Sequence, residues 1–191
     1  MLSKIIWTCY LLGSLMSANP IIKVVFVPDN RPENSQSDTL FYQSDRKLQW
    51  SDFQATPPAH PRSGAVSYSS FAYEGGSIRK IDTLYINLTL QTFHIKSASW
   101  VTPAVRDDYS LAHEQLHFDI TWLVALRFRK KVTHMALTAD DYDSMIQYEY
   151  IEFFREMNRL QKAYDNETSH GQNYTAQYRW RQAISDSLKA L

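Results

Sequence analysis

The sequence predicts an α+β fold, an N-terminal antiparallel sheet packed on a C-terminal helical half. Two observations carry this. Up to about residue 105, apolar residues come in short runs or alternate with polar ones, the period of half-buried strands. Beyond it they recur at helical spacing, in three segments set apart by capping and breaking residues.

The elements follow in order. Residues 21–27 are a β-branched run. Residues 40–50 lead into Ser51-Asp52-Phe53 and a proline loop, Pro57-Pro58-Ala59-His60-Pro61. Residues 65–73 alternate small and aromatic side chains, and Gly75-Gly76 is expected to turn the chain. Residues 78–94 alternate through Leu84, Ile86, Leu88 and Leu90. All read as strands. Asp107 or Asp108 is placed to cap a helix running to about Met135. That helix is apolar on nearly every side, as a buried helix is. Thr138 can cap a second helix, with Asp140 and Asp141 in its first turn, running to about Tyr164. Gly171 breaks the chain before a last helix from Tyr174 to Lys189.

The bulk numbers bound the function. A chain of 191 residues suits one domain with an ample core. Twenty acidic and twenty basic side chains give no net charge, and no basic tract argues for nucleic acid. Residues 1–18 read as a secretory signal: Lys4, an apolar stretch over 5–16, then Ser17-Ala18. Met16 sits at −3 to a cut after Ala18, so an uncleaved anchor is the alternative. No other stretch is long and apolar enough to span a membrane. The expected organisation is therefore a signal at 1–18 and one domain at 19–191, secreted or periplasmic. Cys9, the only cysteine, lies within the signal. The mature chain then has no thiolate, and any metal must be held by His, Asp and Glu.

His113-Glu114-Gln115-Leu116-His117 is the segment that carries chemistry. This HExxH pentad is a signature of zinc hydrolases. Histidines four apart lie about 40° from each other around a helix, so both can bind one ion. Glu114, about 100° round from His113, flanks the metal edge and can take a proton from an activated water.

Three stretches resemble a bacterial family catalogued as domain of unknown function 922, regarded as predicted secreted zinc-dependent proteases. They are Leu48-Gln49-Trp50-Ser51-Asp52-Phe53, then Ser99-Trp100-Val101 with Ala112 through Ile120 around the pentad, and Tyr164 through Gly171 followed by Gln177 and Trp180. The resemblance covers about residues 45–182. Leu116 stands where the family is expected to carry Gly. The resemblance implies a secreted zinc peptidase and leaves the substrate open.

A catalytic zinc needs a third protein ligand and an open fourth position. Ile120 and Leu123 occupy the Gly and His positions of the extended HExxHxxGxxH pattern, so that pattern fails. His170, just before Gly171 and inside the last resembling motif, is the expected third ligand. Glu149, Glu152 and Glu156 on the second helix, and Glu167, are the alternatives. Tyr164 is a candidate oxyanion donor. Asp165 is a candidate for orienting a zinc-bound histidine from behind. Asp119, about 200° from His117, would point away from the metal and serve as outer support or structure. His94 could border the cleft, and His134 suits a helix end.

The expected function is a zinc peptidase acting on peptide or protein through Glu114 as general base. A zinc amidase acting on cell wall is the alternative. A metal-stabilised surface binding module without catalysis is the third reading.

Overall fold

The computed structural model describes residues 19–29 and 36–191, so the proposed signal lies outside the described residues. The chain is α+β, with an N-terminal sheet followed by three helices. The strands are β1 (Ile21–Phe26), β2 (Thr39–Phe41), β3 (Ala65–Val66), β4 (Ser69–Lys80), β5 (Thr83–Ile95) and β6 (Trp100–Val101). The helices are α1 (Asp108–Thr133), α2 (Tyr142–Thr168) and α3 (Tyr174–Lys189).

β5 is the spine of the main sheet. β4 runs antiparallel along one edge from Lys80↔Thr83 to Ser69↔His94. The other edge is shared, with β1 parallel to residues 83–88 and β2 antiparallel to residues 93–95. The β1 pairing makes the sheet mixed rather than wholly antiparallel. β3 and β6 form a separate two-stranded sheet.

Three local readings differ from the sequence expectation. Gly75-Gly76 does not turn the chain, because both residues pair with Leu88 and Asn87 inside β4. A Cβ on Gly75 would lie 2.0 Å from the Asn87 carbonyl oxygen, so this glycine serves a close strand approach. The reversal falls at Ile81-Asp82, with Ile81 left-handed at φ +54°. Of residues 40–50, only the first two are in a strand.

The inner face of the sheet meets α1. Phe71, Ile86 and Leu88 pack on Val124, Ala125, Phe128 and Val132. On its other side α1 meets α2 and α3, where Leu116, Ile120 and Leu123 pack with Tyr164 and Ile184. Layers on both sides explain why α1 is apolar all round. Asp107 caps α1 by accepting from the Ser110 N–H at 2.7 Å. At α2, Asp141 takes the cap position and its side chain accepts from the Thr138 N–H at 2.8 Å. Asp141 thus holds the cap position expected of Thr138, with its side chain bonded back to Thr138 and not to the first turn of α2. α2 continues four residues past the expected end, to Thr168.

Candidate metal centre

α1 and α2 are antiparallel neighbours, and their facing residues define the site. His113 and His117 lie one turn apart on the buried surface of α1. Asp165, near the end of α2, reaches between them. Its Oδ1 is 3.3 Å from His113 Nε2 and 3.0 Å from His117 Nε2. Among the described residues, this is the set of three whose ligand atoms lie within 4.8 Å of one another and could hold a metal ion. A tetrahedral ion with bonds near 2.0–2.1 Å has ligand–ligand edges of about 3.3 Å. The two measured distances are close to that edge.

The rest of each imidazole is fixed by a glutamine. Gln177 Oε1 lies 3.0 Å from His113 Nδ1, and Gln161 Oε1 bonds His117 Nδ1. The Gln161 Nε2 donates to the His117 carbonyl at 3.0 Å and to Thr121 Oγ1 at 2.9 Å. The Gln177 Nε2 donates to the Tyr109 carbonyl at 3.4 Å. These bonds turn each Oε1 toward an imidazole, so Nδ1 donates and Nε2 is left for a ligand bond. A metal-binding histidine needs that tautomer.

The charges are consistent with a cation site. Burial pushes Asp165 up, but hydrogen bonds from His113 and His117 outweigh it and hold its carboxyl well below the usual range. Burial works against charged His117, yet Asp165 and Glu114 outweigh it and raise its pKa.

Glu114 is 5% exposed and lines the same cleft. Its Oε2 is buried with no hydrogen-bond partner. Burial raises its pKa, opposed by His117 and His113. The cleft has a volume of about 730 Å³. Its walls come from residues 63–69, from α1, from α2 and from the turn after α2.

Several expected residues stand elsewhere. His170 lies outside the set whose ligand atoms converge, because α2 runs past the site and puts Asp165 on the helix face toward α1. The His170 imidazole is exposed on the cleft wall, with Nδ1 3.6 Å from Asp165 Oδ1. It sits in a turn of three positive φ angles, Ser169 at 51°, His170 at 53° and Gly171 at 84°. That turn is held by the His170 N–H donating to the Asp165 carbonyl at 2.8 Å and by the Tyr109 hydroxyl donating to the Gly171 carbonyl at 2.6 Å. Asp165 itself moves from supporting a ligand to being one of the three.

Tyr164 differs from its expected role. It is fully buried, stacked on the His113 ring at 4.5 Å, and its hydroxyl donates to the His113 carbonyl at 3.4 Å. It supports the imidazoles from beneath and does not line the cleft. Asp119 points away, as expected. It accepts from the Tyr42 hydroxyl at 2.9 Å and Gln115 Nε2 at 2.8 Å, tying the segment after β2 to α1.

The alternative glutamates are all engaged away from the triad. Glu149 faces Lys131, Glu152 faces Arg155, Glu156 faces Arg127, and Glu167 accepts from Trp180. His94 is buried between Ser67 Oγ and the Asp52 carbonyl, each at 3.2 Å, and braces the cleft wall. His134 bonds the Lys130 carbonyl at the end of α1.

Sequence reasoning passed over Gln161 as a site residue. Its signal was available, since it lies one helical turn before Asp165 on the same face. Comparison with protein-family models, with curated proteins and with solved structures finds no match for this chain.

Proposed function

We propose that the chain is a zinc-dependent peptidase, exported by its N-terminal segment. One observation carries the reading. A buried carboxylate oxygen with no partner, on Glu114, stands beside a three-member His113, His117 and Asp165 set in an open cleft. A structural zinc site would close with a fourth protein ligand, whereas three ligands leave a position for water. That favours an enzyme over a binding module. The resemblance noted above is not carried by any family match, so the proposal rests on the site.

A zinc ion bound there would supply Lewis acidity and bring the pKa of a water to about 7. The residues do the remainder. His113, His117 and Asp165 fix the ion, and Gln161 and Gln177 fix the imidazoles. Glu114, its pKa raised by burial, accepts the proton of the attacking water and returns it to the leaving amine. His170, on the cleft wall, is placed to donate to the carbonyl oxygen as charge develops there.

β5 cannot take substrate by edge addition, because it is paired on both sides. β3 lines the cleft and pairs with β6 alone, so a peptide can lie along it.

The test is hydrolysis of internally quenched peptides by the purified full chain. The expected result is cleavage that a chelator stops and added zinc restores. Cleavage of amide-linked wall fragments with all peptides intact would assign the amidase reading instead.

A further inference from the structure

At the hairpin end of the sheet, the outer-face residues of β1 and β4 are exposed among the described residues. By register, Lys23 of β1 and Ile78 of β4 both lie opposite Tyr85 of β5, and Ile21 and Lys80 both lie opposite Thr83. Ile21 and Ile78 are each 55% exposed. Lys23 and Lys80 each bring Nζ within 5.8 Å of the Tyr85 ring centre. The hairpin tip beyond them presents Ile81, which is 97% exposed and left-handed at φ +54°. That conformation is costly for a β-branched residue, and Asn or Gly would serve the turn better. An apolar side chain held out at such a cost indicates a partner.

Two features identify the partner. The first is charge: Lys23, Arg79 and Lys80 surround the tip, against the single carboxylate of Asp82. Glu74 lies further along β4, away from it. The second is where the chain comes from. The Ile21 N–H donates to the Asp82 carbonyl at 2.8 Å, so the chain enters β1 at this tip. The residues before it carry Lys4 and the mostly apolar stretch over 5–16.

We propose that this face and the hairpin tip dock on an anionic phospholipid surface. Ile81, Ile78 and Ile21 enter the headgroup layer. Lys23 and Lys80 extend to phosphates on either side of Tyr85. The cleft lies toward the other end of β5, near His94. Eleven residues at roughly 3.3 Å separate it from the tip by about 35 Å along β5. This docking does not depend on the reaction in the cleft.

The experiment uses the full chain with Cys9→Ser and an environment-sensitive fluorophore on an introduced cysteine, either Ile81→Cys or, on the exposed side of α3, Gln182→Cys. The chains are mixed with vesicles of phosphatidylcholine alone or with phosphatidylglycerol added, each carrying a lipid-borne quencher. Expected is strong quenching at position 81 on the anionic vesicles and little at 182. Adding Lys23→Glu and Lys80→Glu should weaken that binding by at least about tenfold. Equal quenching at both positions would overturn the proposal, as would no response to the charge reversals. A change at position 81 that appears without vesicles and vanishes on dilution would assign the face to a second copy of the chain, and overturn it too.

Discussion

Replacing Glu114 with Gln should stabilise the metal-free protein while removing its proposed activity. Glu114 is 5% exposed and its Oε2 has no partner. Leaving a buried acceptor unsatisfied costs about 1–3 kcal/mol, and more for a charged one. Burial raises the folded pKa above 4.5. A raised carboxyl pKa means the folded state holds its proton longer, so stability falls as pH rises past 4.5. Glu114→Gln has no such loss. At pH 7.5 the variant is spared that ionisation, worth about 1.4 kcal/mol for each pH unit by which burial lifts the pKa, and should gain roughly 2–4 °C in Tm per kcal/mol. The gain should shrink toward pH 4.5. The assay is thermal unfolding in chelator at pH 5.0 and 7.5, beside turnover of a quenched peptide. Turnover should fall by roughly 10²–10⁴. A variant that melts below the parent at both pH values would refute the argument, because the carboxylate would then have a stabilising partner.

Gly171→Ala should weaken zinc binding and lower stability by about 1–2 kcal/mol, since φ is +84° and the new Cβ would sit 3.3 Å from His113 Cγ. Titration with zinc and a melt read both effects. Tyr164→Phe should change kcat by less than about threefold, because the hydroxyl only meets the His113 carbonyl at 3.4 Å, a bond worth about 1 kcal/mol or less. A larger fall would return Tyr164 to the reaction. The contributions of Asp165 and His117 to the metal-free protein should both be present between about pH 4 and 6.5. The Asp165 contribution, from a lowered pKa, is present above its ordinary value of 3.8 and lost as pH falls through its folded value. The His117 contribution, from a raised pKa, is present below 6.5 and lost as pH rises through its folded value. Zinc needs deprotonated imidazoles, so its stabilisation should instead grow with pH, and melts with and without zinc would show the two trends crossing.

The helical half was legible because each boundary had a local chemical cause. Asp107 caps α1 and Gly171 ends the turn after α2, and α3 lies where the periodicity puts it. β1 was legible as a run of β-branched residues. Its parallel pairing was not, because pairing direction depends on contacts far apart in sequence. The Gly75-Gly76 reading failed because glycine serves close strand approach as well as turns.

The pentad placed His113, Glu114 and His117 together on α1. The third member of the set was missed for a geometric reason. In a helical hairpin, residues equally far from the connection face each other. Lys131 therefore meets Glu149, Phe128 meets Phe153, and Arg127 meets Glu156. Continuing that register brings His117 to Gln161 and His113 to Asp165. Counting from the connection would have set aside Glu149, Glu152 and Glu156, and pointed one or two turns further along α2.

The most direct measurement is zinc bound per chain after dialysis, by elemental mass spectrometry, for the parent, Asp165→Ala and His170→Ala. The triad predicts about one zinc in the parent, near loss in Asp165→Ala and retention in His170→Ala. Zinc kept by Asp165→Ala and lost from His170→Ala would contradict it, and no zinc in the parent would remove the metal centre altogether.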